Sequence, residues 1–187
     1  MLSVFAPNTS SILNNKENST KNFMQHIHTQ YFATPFGELI LGAFHGKLCL
    51  CDWRYRTMRH AVDKRINTGL QSEYLALPED NDHDILVETR MQLNEYWSGV
   101  RRDFTVPLLF VGTDFQQRVW QTLLSVGYGA TATYLQLSEK LGNREAIRAV
   151  ASANGANALS ILVPCHRIIG SDGALVGYAG GLAAKKK

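Results

Sequence analysis

The sequence predicts an α/β protein in two domains, and three observations carry that reading. Period-two apolar patterning is confined to HIHTQYFATPFGELILGAFHGKLCLCDW, helix-period patterning with capping signals dominates after Gly112, and the extended run VRRDFTVPLLFVG at 100–112 joins the two. With 187 residues, 45% of them hydrophobic, the chain is long enough to bury one substantial core or two small ones. It holds no run of eighteen apolar residues, and its N-terminus lacks a basic region followed by an apolar stretch and a small-residue cleavage site. Neither a membrane span nor a secretory signal is indicated, and the cytoplasm is the expected compartment.

Residues 1–24, rich in Asn, Ser and Thr without a period, read as a disordered tail. Residues 25–105 then form an N-terminal α/β domain, and residues 112–187 a C-terminal domain. The first domain opens with two or three strands in an antiparallel meander, turned at Thr34-Pro35-Phe36-Gly37 and at His45-Gly46. Alternation in LCLCDW places Cys49 and Cys51 on one face of a strand, where free cysteine serves as a small hydrophobe. Three cysteines make an odd count, which fits reduced thiols better than a disulfide framework. His26, His28 and His45 lack the spacing of a metal site, so no metal is expected. Residues 57–82 are polar and predict no element. A helix over 84–100 follows, with Ile85, Leu86, Leu93, Tyr96 and Trp97 on one side and Gly99 as its stop.

The second half is more explicit. Thr113 with Gln116 forms a capping-box pattern ahead of Phe115, Val119, Leu123 and Val126 at helical spacing. Thr133 with Gln136 repeats the signature, Leu137 and Leu141 supply the apolar side, and Gly142 ends the helix. Asn143 can cap a third helix, REAIRAVASAN. Two short helices joined through Gly-Asn are a helix-turn-helix or an ordinary helical hairpin. The third helix carries Arg144 and Arg148 among Ala149, Ala151, Ser152, Ala153 and Gly155. Such small residues let a backbone approach a nucleic-acid groove, and they also suit helix–helix packing. Charge favours looking here for an anionic partner: residues 112–187 hold eight Lys/Arg against four Asp/Glu, residues 1–111 eleven against twelve.

ILVPCHRII, at 161–169, reads as a buried apolar strand with unusual guests. A thiol with a pKa of ~8.5 is only a few per cent thiolate at neutral pH, so a nucleophilic Cys165 needs a base or a positive field. His166 is adjacent, yet strand neighbours point to opposite faces. Either Pro164 bends the chain, or a water bridges the two, or Cys165 is an inert core thiol.

PCHR at 164–167, preceded by RAVASANGANALSILV and followed by GALVGYAGGLAAKK, with YLQL upstream, closely resembles the O6-alkylguanine-DNA alkyltransferases. These are suicidal repair proteins that move an alkyl group from a DNA base onto their own cysteine. The likeness covers nearly all of residues 30–187 and is densest from Gly112 onward. It implies an N-terminal ribonuclease-H-like small sheet with a helix, and a mostly helical, winged-helix-like C-terminal domain holding the helix-turn-helix.

The resemblance also implies roles. Cys165 is the alkyl acceptor and His166 deprotonates it through a water. Arg148 enters the duplex from the minor groove and fills the space of the extruded nucleotide, on a recognition helix whose face includes Ala149 and Ser152. Tyr134 helps rotate the 3′ phosphate, Asn157 is the hinge between recognition helix and active-site strand, and Tyr178 and Ala179 lie on the loop that walls the guanine pocket. The implied partner is double-stranded DNA bearing O6-alkylguanine, with O4-methylthymine as a further substrate, bound by a monomer. No metal, cofactor or membrane is called for. Where the family commonly has serine this chain has Ala179, which keeps the backbone N–H. The family also continues past GGLxxK into a helix whose glutamate orients the histidine, whereas these residues end at Lys185-Lys186-Lys187. The expected consequence is retained DNA binding with a slow thiol, and the alternative is a lesion-binding protein with weak or no transfer.

Overall fold

In the computed structural model, which describes residues 25–186, the first half of the chain builds a four-stranded sheet in the order β3-β2-β1-β4. The tail expected at 1–24 lies outside the described residues. Strands β1 (His26–Thr34), β2 (Gly37–Phe44) and β3 (Lys47–Trp53) make the antiparallel meander, turned where TPFG and HG predict. Beyond the sequence reading, α1 (Arg59–Leu70) and β4 (Glu73–Ala76) occupy the polar stretch, with β4 parallel to β1. They left no periodic signal because α1 buries only Val62 and Ile66, and no residue of β4 is fully buried. Helix α2 (Asp84–Trp97) packs on the sheet through Leu86 and Leu93, with Ile85, Tyr96 and Trp97 partly buried beside them.

The expectation that Cys49 and Cys51 share a face is overturned by a β-bulge. Gly42 pairs with Leu50 and Ala43 with Leu48, so Cys49 is an extra residue that resets the alternation. Cys49 and Leu50 join a small cluster with Ile27, Val62 and Ile66, whereas Leu48 and Cys51 face the main core. Both thiols are buried, as expected.

Helices α3 (Asp114–Leu123), α4 (Tyr134–Lys140) and α5 (Ile147–Gly155) pack on one another in the second half. Both capping boxes are formed, at Thr113/Gln116 and Thr133/Gln136. Gly142, at φ +79°, takes the left-handed turn that ends α4. Asn143 caps as predicted, but it caps a single 3-10 turn, Arg144–Ala146, before α5 begins. A short parallel pair, β5 (Ala132–Thr133) with β6 (Ile168–Ile169), ties the start of α4 to the chain after PCHR, and α6 (Gly181–Lys186) follows.

One apolar core runs through both halves, from Leu41 and Leu86 to Val150, Val163 and Cys165. The open edge of β3 is covered by the connector and by the segment after α5. Leu48 N–H donates to Pro107 O at 2.8 Å, Leu109 N–H to Leu48 O at 2.8 Å, and Cys51 N–H to Ala158 O at 2.8 Å. An edge strand is thereby satisfied, and residues 157–159 are held against the sheet.

Candidate active site and nucleic-acid face

Of the strand expected at 161–169, only Ile168–Ile169 is formed. Ser160, Ile161 and Leu162 make a γ-turn, closed by Leu162 N–H to Ser160 O at 2.9 Å, with Ile161 at φ +75°. Pro164, at φ −78° and ψ 56°, centres a second such turn of the opposite hand, closed by Cys165 N–H to Val163 O at 2.7 Å. A β-branched residue at positive φ costs about 1–3 kcal/mol and persists only where its surroundings over-determine it. Here Val163 N–H to Leu159 O at 2.8 Å locks the turn from outside. The result is a 3-10 turn, Cys165–Arg167, instead of a pleated strand. Pro164 does bend the chain, yet no direct hydrogen bond joins Cys165 to His166 among the described residues.

Asn157 holds the thiol. Its Nδ2 lies 3.1 Å from Cys165 Sγ and 3.0 Å from Val163 O, while its Oδ1 accepts from Leu159 N at 2.9 Å. Asn154 Nδ2 reaches Cys165 O at 3.5 Å. Burial pushes the Cys165 thiol up to about 11; the Asn157 amide opposes this, Asp52 adds to it, and Arg56 and Lys185 oppose it. His166 moves the other way, down to about 4, by burial first and then by the charges of Arg167 and Lys185. Its Nδ1 is buried with no partner among the described residues. Both shifts run against charge, the thiol's upward and the imidazole's downward, so burial favours the neutral form of each. The resting state is a neutral thiol beside a neutral imidazole.

Aromatic rings wall the space around them. Trp53 Nε1 donates to Tyr178 Oη at 3.1 Å, and the Tyr178 and His166 rings stand edge to face at 6.1 Å. Gly180 is required for this contact, since a Cβ there would run into the Trp53 indole. The Lys185 ammonium, on α6, donates to Val176 O and so pins the Tyr178 loop. A cavity of about 170 Å³ opens beside His166, lined by Trp53, Tyr96, Trp97, Tyr128 and Tyr178. Burial and then the neighbouring Cys165 raise the pKa of Tyr134 and of Tyr178, which puts both phenols within electrostatic reach of the sulfur.

The structure therefore gathers Cys165, His166, Asn157, Tyr134 and Tyr178, with Ala179 half-buried on the same loop. Arg148, Ala149 and Ser152 lie apart from them, on the exposed face of α5. Ala153 does not share that face: it is buried, and its carbonyl accepts from Trp120 Nε1 at 2.8 Å. Helix packing claims one side of the small-residue stripe and solvent the other. Sequence reasoning missed Trp53, Asp52, Arg56, Ser160 and Lys185. The one available signal was Asp52, an acid inside the otherwise apolar run LCLCDW.

Residues 114–187 match the family described as 6-O-methylguanine DNA methyltransferase, DNA binding domain. A methylated-DNA–protein-cysteine methyltransferase of Mycobacterium leprae is 41% identical over 159 residues, covering 85% of this chain and 88% of that protein. The chain belongs to this family. A constitutive methylated-DNA–protein-cysteine methyltransferase of Bacillus subtilis is 39% identical over 147 residues, 79% of this chain and 83% of its own. The crystal structure of Mycobacterium tuberculosis OGT in complex with DNA superposes with a TM-score of 0.71 at 37% identity, covering 86% of this chain and 89% of that one. In this methyltransferase the segment with the paired γ-turns is the one that bears PCHR.

Proposed function

We propose that this methyltransferase repairs DNA directly, taking the alkyl group of an O6-alkylguanine flipped out of the duplex onto Cys165 Sγ, once per molecule. The observation that carries the reading is the thiol itself, buried at the end of a strained turn with a side-chain N–H aimed at its sulfur. In the step, the S–C bond forms in line as the C–O6 bond breaks. The thiol proton leaves through His166, by way of a water, and the departing guanine takes up a proton. No cofactor enters this balance. Because the resting pair is neutral, proton removal accompanies attack. Tyr134 and the Tyr178–Ala179 loop bound the base pocket, and a backbone N–H of that loop serves O6.

Arg148, Ala149 and Ser152 form the groove-facing side, with Arg148 plugging the vacated stack. Asn157 is the hinge behind it. In the same reading, residues 25–105 are a ribonuclease-H-like domain and residues 112–187 a winged-helix-like one, supported by the sheet with α2 and by α4–α5 beside the β5–β6 pair. The protein acts as a monomer on duplex DNA in the cytoplasm.

Intact mass after incubation with an oligonucleotide carrying one O6-methylguanine tests the central step. One methyl per protein, mapped to Cys165, is expected. Turnover, methyl on Cys49 or Cys51, or tight lesion binding with no mass gain would overturn it. Arg148→Ala should slow repair of a duplex about 10- to 100-fold more than of a short single strand, because less stacking must be broken there. Equal losses on both would reduce Arg148 to a phosphate contact.

A further inference from the structure

A densely bonded charge cluster lies behind the site, on the sheet. Asp52, 0% exposed at the end of β3, accepts from Arg56 Nη1 at 2.8 Å, from Arg59 Nη1 at 3.3 Å and from Ser160 Oγ at 3.1 Å. Arg56 has two further bonds: Nη1 donates to Asn157 O at 2.9 Å and Nη2 to Gly155 O at 2.5 Å. Arg65, on α1, donates to Ala156 O at 2.8 Å and to Val111 O at 2.9 Å. Three consecutive carbonyls at the end of α5, those of 155, 156 and 157, are thus all held by arginines of the first half.

Isolated buried ion pairs contribute little net stability, and one whose donors are spent on another segment's backbone is better suited to fixing geometry. The geometry fixed here is that of Asn157, whose side chain then meets Cys165 Sγ, Val163 O and Leu159 N. Ser160 ties the following γ-turn to the same carboxylate. We infer that Arg56, oriented by Asp52, is a positioning residue for the alkyl transfer: its planar fork fixes the Asn157 peptide so that the Asn157 amide points at the sulfur of Cys165. The first half of the chain thereby tunes a nucleophile that the second half carries. This rests on Cys165 being the acceptor, as proposed above.

The charged and titratable groups that act on the sulfur electrostatically are Asp52, Arg56, Lys185, Tyr134 and Tyr178. Arg56 acts on it in two ways, as a charge and as a fork, and two variants separate them. Arg56→Lys keeps the positive partner of Asp52 but cannot span two carbonyls; Arg56→Met removes both, leaving Asp52 with Arg59 and Ser160.

The experiment measures two reactions of each full-length variant. Transfer from lesion oligonucleotide at saturating DNA should fall about tenfold for Arg56→Lys and further for Arg56→Met, as expected for a donor whose loss raises the thiol pKa by about one. The dissociation constant and the end-point of one methyl per protein should stay within twofold of the unaltered protein. Alkylation of Cys165 by iodoacetamide at pH 8, followed by peptide mass, reads the thiol without any DNA. The sign is decisive, because a loosened fold exposes a buried thiol and speeds this reaction, whereas loss of the Asn157 donor slows it. Slower labelling of Cys165 in Arg56→Lys supports the clamp even if the repair reading fails. Labelling that is unchanged or faster in both variants overturns it.

Discussion

Cys165 and the two cysteines of β3 are all buried thiols whose pKa burial raises, Cys165 to about 11, Cys49 to about 12 and Cys51 well above its ordinary value. Burial therefore does not mark the nucleophile. The direction of the hydrogen bond does. Cys49 Sγ lies 3.4 Å from Gly42 O and donates its proton to it, an arrangement that requires the neutral thiol. Cys165 Sγ accepts from the Asn157 amide at 3.1 Å, an arrangement that strengthens as negative charge develops on sulfur. Backbone context differs in the same sense. The β3 cysteines sit in a paired strand, whereas Cys165 follows two γ-turns that leave its sulfur pointing at a side-chain donor. The comparison teaches that a reactive site inside a core is made by turning the chain out of regular structure and supplying a donor where a carbonyl would otherwise sit.

Removing the donor is the largest way to break this comparison. Asn157→Ala should slow methyl transfer by about 10- to 100-fold near neutral pH, since a hydrogen bond to a charged group is worth about 1.5–3 kcal/mol. Iodoacetamide labelling of Cys165 should slow with it, while Cys49 and Cys51 stay unlabelled in the folded protein. Asn157→Asp sharpens the test, because an acceptor aimed at the sulfur should be worse than no side chain at all. A transfer rate that is unchanged in Asn157→Ala would show that hydrogen-bond direction is not what separates these thiols.

The same contrast explains what was legible beforehand. Meander, capping boxes and the Trp97 helix were readable because each follows from local spacing, and the PCHR context carried the chemistry. α1 and β4 were silent because they bury too few side chains to leave a period. The bulge at Gly42 was invisible because an inserted residue preserves composition while it reverses every later side chain. ILVPCHRII read as a strand because its apolar residues are β-branched, yet Pro164 and the strained Ile161 override that propensity. Arg56 was out of reach because two of its partners are backbone carbonyls about a hundred residues away, which no side-chain pattern encodes, and the acid in LCLCDW gave no sign of its distant partner, the Ser160 hydroxyl.

The smallest expected effect concerns the imidazole beside the thiol and is read in stability. In the folded protein His166 titrates near 4, against 6.5 when unfolded, so between these values the unfolded chain binds more protons. Linkage then requires that folding stability rise as pH climbs from about 4 to 6.5 and that this contribution be complete above it. His28 is shifted in the same direction, by burial and by His83 and His26, so the slope has more than one source. Replacing His166→Gln removes one of them, and denaturant unfolding at pH 4.5 and pH 7 should show a difference between the two pH values that is about 1 kcal/mol smaller than in the unaltered protein, after discounting for partial exposure. The β3 thiols offer the control, since neither titrates in this range and Cys51→Ser should leave the difference intact. An undiminished difference in His166→Gln would mean that the ring is better solvated than its surroundings indicate and titrates near its ordinary value, whereas a difference that grows would mean a raised imidazole pKa, as in a pair with Cys165 that is already ionised.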